Sequence, residues 1–103
     1  MKKQIRYDKR ALKELHKFSE EVQDDFIGLV ESLEKYGKLE FPDGKKIGKN
    51  MFEMRVKLDG AYRGIYGYIK NNEIIILHFF EKKSQKTPMK NFKTAEQRLK
   101  RYA

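Results

Sequence analysis

The sequence predicts an α+β domain of order β-α-α-β-β-β-α, a mostly antiparallel sheet with a helical hairpin on one face and a C-terminal helix. Three observations predict it. Residues 8–37 carry apolar side chains at helical spacing between two capping signals. Residues 51–83 alternate, or run apolar, around two short turn signals. An amphipathic segment follows Pro88. With 103 residues there is room for one modest core, so 1–103 is read as a single domain.

The elements follow in order. "KQIRY" predicts a short strand with Ile5 and Tyr7 on one face. Asp8 is an N-cap, after which Leu12, Leu15 and His16 follow helical spacing. Ser19 caps a second helix, with Glu20 and Glu21 favourable in its first turn. Val22, Phe26, Leu29, Val30 and Leu33 form its apolar stripe, and Gly37 ends it. Residues 38–50, with Pro42, an Asp-Gly pair and Gly48, read as a loop.

A meander comes next. In "MFEMRVKL", Phe52, Met54, Val56 and Leu58 face one way and Glu53, Arg55 and Lys57 the other. Asp59-Gly60 signals a hairpin turn. "AYRGIYGYI" is the next strand, with Arg63 on one face and Tyr62, Tyr66 and Tyr68 on the other. Asn71-Asn72 makes a second turn. "EIIILHFFEKK" is apolar almost throughout, as befits a strand covered on both faces. The final helix aligns Met89, Phe92, Ala95 (or Glu96) and Leu99 on one side. The helical hairpin is expected to cover the Phe52/Met54/Val56/Leu58 face.

Composition narrows the function. There is no cysteine, so disulfides and thiolate metal sites are unavailable. His16 and His78 would need added carboxylates to hold zinc, and no metal or cofactor is expected. No apolar stretch approaches the ~18 residues of a membrane span. The basic start "MKKQIRYDKR" lacks a signal peptide's apolar segment, and a cytoplasmic location is expected. The net charge of +9 lies wholly in residues 41–103, where fifteen Lys/Arg meet six Asp/Glu. Localised basicity of this kind suits nucleic acid, although a solvated lysine-rich surface would have the same composition.

The cations gather on one face. With a turn at 59–60, Arg63 falls near Val56, flanked by Arg55 and Lys57. Grouped cations repel unless an anion joins them, and an RNA phosphate is a candidate; Glu53 could instead neutralise part of the group in a surface ion-pair network. The end of the third meander strand, "LHFFEKKSQKTP", brings Phe79, Phe80, Lys82 and Lys83 to the same region. Aromatics beside cations suit base stacking and phosphate contacts. His78 could move protons near neutral pH, or be a satisfied core residue.

The ordered set F-E-x-R (residues 52–55), Y-R (62–63), L-H-x-F-x-K-K (77–83), S-Q-K-T-P (84–88) and A-x-x-R (95–98) resembles the phage-derived, HigB-like branch of the RelE/ParE toxin superfamily. The upstream helices and the "PDGKKIG" loop fit the same pattern. The resemblance implies a RelE-like fold and the toxin of a type II toxin–antitoxin system. It implies a metal-independent endoribonuclease that cuts mRNA in the ribosomal A site by 2′-OH attack. Arg63 would bind the scissile phosphate. Arg55 and Lys82 or Lys83 would stabilise the phosphorane or supply a proton, and Glu53 or His78 would act as base. RNA contacts are expected from Lys57, Tyr66, Phe80, Lys86 and Lys90, with Tyr66 and Phe80 stacking on bases.

The implied partners are the ribosome, mRNA and a helix-turn-helix, HigA-like antitoxin, with the free toxin monomeric. The terminal tyrosine or histidine-rich pattern of better-known branches is not evident, although Tyr102 is a late tyrosine. Two other readings share the fold. One is a ParE-like poison of DNA gyrase; the other is a non-catalytic phage-derived protein that binds RNA or a partner.

Overall fold

The computed structural model describes residues 2–83 and 86–102. Ser84 and Gln85, which open the S-Q-K-T-P motif, lie outside the described residues. The elements are β1 (Gln4–Tyr7), α1 (Lys9–His16), α2 (Glu20–Tyr36), β2 (Gly44–Gly48), β3 (Met51–Lys57), β4 (Ala61–Ile69), β5 (Glu73–Lys82) and α3 (Met89–Lys100). The sheet order is β1-β5-β4-β3-β2. β1 runs parallel to β5, and the other pairs are antiparallel.

The helix ends form as their residues dictate. The Asp8 carboxylate accepts from the Arg10 N–H at 2.8 Å, and Ser19 Oγ accepts from the Val22 N–H at 3.3 Å. Gly37, at φ 80°, closes α2 by donating to Leu33 O. β5 lies between β1 and β4, and Ile74, Ile75, Ile76 and Leu77 are all fully buried. On one face Val22, Phe26 and Leu33 pack with Met54, Val56, Ile74 and Phe79, as the alternation of β3 predicts. On the other, Ile65, Ile75, Leu77 and Phe80 pack under Ala95, Phe92 and Leu99. Among the described residues no helix is long and apolar enough to cross a membrane.

Four details differ from the sequence reading. Residues 44–48 are not loop but edge strand β2; "GKKIG" lacks the alternation of a strand and gains its conformation by pairing with β3. The β3–β4 register is one residue away from that expected, because Leu58, Asp59 and Gly60 all lie in the turn. Arg63 therefore sits directly opposite Arg55. In α1, Ala11 shares burial with Leu15 while His16 is exposed. In α3, Met89 is exposed and Arg98 is buried, since Arg98 finds anionic and carbonyl partners inside.

One irregularity decides where the functional side chains point. Ile65 pairs with His78 but Tyr66 pairs with Ile76, so Leu77 is an extra residue in β5. The bulge inverts the alternation of the strand beyond it. His78, Phe80 and Lys82 consequently share the face of Arg63, instead of pointing under the helical hairpin.

Candidate functional site

The centre of the site is a carboxylate. Glu53, in the middle of β3, is only 1% exposed. Its Oε1 lies 3.3 Å from Arg63 Nε and 3.9 Å from Arg55 Nε. Its Oε2 accepts from Thr87 Oγ1 at 2.6 Å. Arg63 is itself 8% exposed. Its Nη1 donates to Tyr62 O at 3.1 Å, while its Nε has no hydrogen-bond partner among the described residues. The 3.3 Å approach to Glu53 is an ion pair by distance, with the N–H out of line for donation.

Two adjoining clefts open over this centre. One, of about 800 Å³, is lined by Arg55, Lys57, Arg63, Lys82 and Lys83, with Pro42 and Asp43 on its wall. The other, of about 460 Å³, holds Lys45, Lys46, Lys86, Thr87 and Glu53. Arg55 and Lys82 line both. Burial lowers the Arg63 pKa, with Arg55 adding to the effect and Glu53 opposing it. Burial also lowers that of the Lys82 ammonium; Glu53 opposes the shift, and Arg63, Arg55 and Lys45 reinforce it. Glu53 and Asp43 thus meet a larger number of cations, and the arrangement can bind a phosphodiester and hold charge that develops on it. Among the described residues no group of three or more His, Asp and Glu is placed to hold a metal.

The structure brings Glu53, Arg55, Arg63 and Lys82 together, with Lys57 and Lys83 exposed on the rim of the larger cleft and Lys86 in the smaller. Lys90 is exposed in the first turn of α3 and lines neither cleft. His78 also lines neither. Its Nδ1 lies 2.9 Å from Glu14 Oε1 and its Nε2 2.7 Å from Asn91 Oδ1. The same Glu14 carboxylate accepts from the Phe79 N–H and from both terminal nitrogens of Arg98, tying α1, β5 and α3 together. Tyr66 and Phe80 do not present rings for base stacking. Tyr66, 2% exposed, packs on Phe52 in the hairpin-side core, and Phe80, 8% exposed, stacks on His78 beneath α3.

Sequence reasoning missed Thr87, Lys45 and Phe41. Thr87 lies within S-Q-K-T-P, but nothing in sequence couples it to Glu53. Lys45 sits opposite Glu53 on the unforeseen β2. Phe41, exposed in the preceding loop, carries the Arg55 guanidinium 5.6 Å from its ring centroid.

Comparison with known proteins gives concordant results. The family model "Phage derived protein Gp49-like (DUF891)" matches residues 13–100. No curated protein gives a significant match. Among solved structures, a double-arginine mutant of the E. coli toxin RelE in the free state aligns over 100% of both chains, with TM-score 0.70 and 15% identity. The same mutant in complex with the antitoxin peptide RelBc aligns over 92% of this chain and 95% of that one, with TM-score 0.62 and 22% identity. The RelBE2 toxin–antitoxin complex of Mycobacterium tuberculosis aligns over 80% of this chain and 100% of that one, with TM-score 0.60 and 18% identity. The chain belongs to the Gp49-like family of phage-derived proteins and has the fold of the RelE toxins.

Proposed function

We propose that this protein is the toxin of a type II toxin–antitoxin pair and an endoribonuclease that cuts mRNA in the ribosomal A site. The observation that carries the reading is Arg63: nine-tenths buried, its Nε ion-paired with Glu53 but without a hydrogen-bond partner among the described residues, on the floor of a cleft it shares with Arg55 and Lys82. A buried donor without a partner is costly, and an anionic oxygen would satisfy it. The concentration of positive charge in residues 41–103 supports the same ligand.

In this reading the RNA 2′-oxygen attacks the adjacent phosphorus and the P–O5′ bond breaks. The products are a 2′,3′-cyclic phosphate and a 5′-OH. Arg63 and Arg55 hold the phosphate oxygens as the phosphorane forms. Lys82, whose pKa is lowered, gives its proton to the departing 5′-oxygen, with Lys83 at the rim as the alternative donor. The 2′-OH proton requires a base. Glu53 and His78 are the two the sequence offers, and both are held in hydrogen bonds. Glu53 is the better placed: it lines the smaller cleft, and Thr87 occupies only its Oε2, whereas both His78 ring nitrogens face oxygens of Glu14 and Asn91 outside the clefts. Glu53 also positions the two arginines.

The antitoxin complexes among the RelE structures support an antitoxin as partner. A helix-turn-helix, HigA-like protein is the kind proposed, in keeping with the HigB-like resemblance of the sequence. The free toxin would be a monomer acting in the cytoplasm, where the ribosomes are. The test is the chemistry of the product ends. Messenger RNA incubated with the protein and translating ribosomes should yield 3′ fragments that polynucleotide kinase labels directly, as a 5′-OH requires. Intact mRNA together with inhibited gyrase supercoiling would replace the reading with that of a gyrase poison.

A further inference from the structure

The two rings expected to stack on bases are buried, yet an exposed aromatic stands beside the cleft. Phe41 is 71% exposed, the most exposed large apolar side chain among the described residues. It is no loose loop residue. Two residues on, Asp43 O accepts from the Arg55 N–H at 2.9 Å, and Gly44 N donates to Glu40 O at 3.0 Å and pairs in register with Met54. The turn packs so closely that a Cβ on Gly44 would fall 2.6 Å from Leu39 Cβ. Pro42 and Asp43, the next residues, form the cleft wall. The Phe41 ring bears the Arg55 guanidinium 5.6 Å from its centroid, and Arg55 faces Arg63 across the β3–β4 pair. An apolar π-surface is thus fixed one side chain away from a nine-tenths buried guanidinium whose Nε has no hydrogen-bond partner among the described residues.

A ligand that satisfies both must join an anion to a flat aromatic group over a short span. A nucleotide does so, and every base offers a π-face. We propose that Phe41 is the stacking platform for an unpaired nucleobase of the RNA whose phosphate occupies the Arg55–Arg63–Lys82 cleft. This rests on the ribonuclease reading for the identity of the phosphate, and it adds the residue that orients the neighbouring base. The stack runs base on Phe41 on Arg55, so the cation that binds phosphate also polarises the ring. Being sequence-tolerant, such a contact sets the position of the strand and not the choice of codon.

The chain has no tryptophan, so Phe41→Trp installs a single indole reporter on the platform. The probes are a 2′-O-methylated single-stranded hexanucleotide, which cannot be cleaved, and tripolyphosphate, which has charge but no bases. The hexanucleotide should quench Phe41→Trp emission; tripolyphosphate should compete for the site without quenching. Phe41→Leu, which keeps apolar bulk but loses the π-face, should bind a labelled hexanucleotide roughly 10-fold more weakly than wild type. Binding unchanged in Phe41→Leu, or emission unchanged at saturating hexanucleotide, overturns the assignment. Emission that responds to a protein partner alone overturns it too. When one of these overturning results comes together with Arg63-dependent tripolyphosphate binding, the platform falls and the phosphate site stands. If neither probe binds, both fall.

Discussion

Arg63 holds its Nε 3.3 Å from the Glu53 carboxylate and yet donates no hydrogen bond to it. The pair neutralises charge without saturating the guanidinium. A lysine at this position would keep the charge and lose the planar fork that matches a phosphate. Arg63→Lys should therefore fold like wild type and lower the single-turnover rate of mRNA cleavage on programmed ribosomes by roughly 10²–10³-fold. A lysine variant that cuts at the wild-type rate would reduce Arg63 to a point charge.

Glu53 is the only carboxylate that Arg63 and Arg55 are seen to share among the described ion pairs. Glu53→Gln leaves Arg55, Arg63 and Lys82 facing one another across a nearly dry floor. Breaking a buried pair on one side typically costs about 3–5 kcal/mol. Urea unfolding should show a loss at or below the low end of that range, since Arg55 retains some solvent. Inorganic phosphate should restore part of it by taking the place of the carboxylate. Stability that is unchanged in Glu53→Gln, or insensitive to phosphate, would contradict the electrostatic account of the cleft.

Two carboxylates outside the cleft predict acid sensitivity. Burial pushes the Glu14 pKa up, but the hydrogen bonds from His78 and Arg98 and that from the Phe79 N–H outweigh it and bring it to about 2. Burial likewise raises Asp8, and the bonds from Arg10 and Tyr102 bring it to about 2. Both folded values lie below the unfolded ones. The stabilisation is therefore complete above the ordinary carboxylate range and is lost as pH falls from about 4 towards 2. Each group contributes on the order of 2–3 kcal/mol at neutral pH. Glu14→Gln should be destabilised at neutral pH and lose less on acidification than wild type, as followed by urea midpoints across the acid range.

Two glycines predict opposite outcomes. A Cβ on Gly67 would lie 2.7 Å from the backbone oxygen of Asn50. That backbone cannot yield easily, because the Asn50 side chain donates to Tyr68 O and accepts from the Tyr68 N–H. Gly67→Ala should cost about 1–3 kcal/mol. Gly28, inside α2, has nothing within 4 Å of its would-be Cβ, and Gly28→Ala should gain up to about 1 kcal/mol. Denaturant midpoints of the two variants, moving in opposite directions, check both.

Much of this was legible in the sequence where local chemistry decides structure. Asp8, Ser19 and Gly37 announce the helix ends, and the alternation from Phe52 to Leu58 announces which face of β3 is covered. The turn at Asp59-Gly60 puts Arg63 near Arg55, although the register it suggests, Arg63 opposite Val56, is one residue off. What escaped depends on contacts distant in sequence. β2 has no pattern of its own and is a strand only because β3 lies beside it. The extra residue at Leu77 carries no glycine or other mark, although it determines that Lys82 meets Arg63. The partnership of Glu53 with Thr87 spans a loop that no periodicity describes. Tyr66 and Phe80 were expected at the RNA because aromatics next to cations suit both a core and a binding surface; burial assigns them to the core.

The most direct test is primer extension on a defined mRNA in a purified translation system, with and without ribosomes, comparing wild type with Arg63→Ala. The account predicts new 5′ ends at A-site codons with wild type, only when ribosomes are present, and none with a folded Arg63→Ala variant. Cuts that persist in Arg63→Ala, or no cuts from a folded and growth-inhibiting wild-type protein, would contradict it.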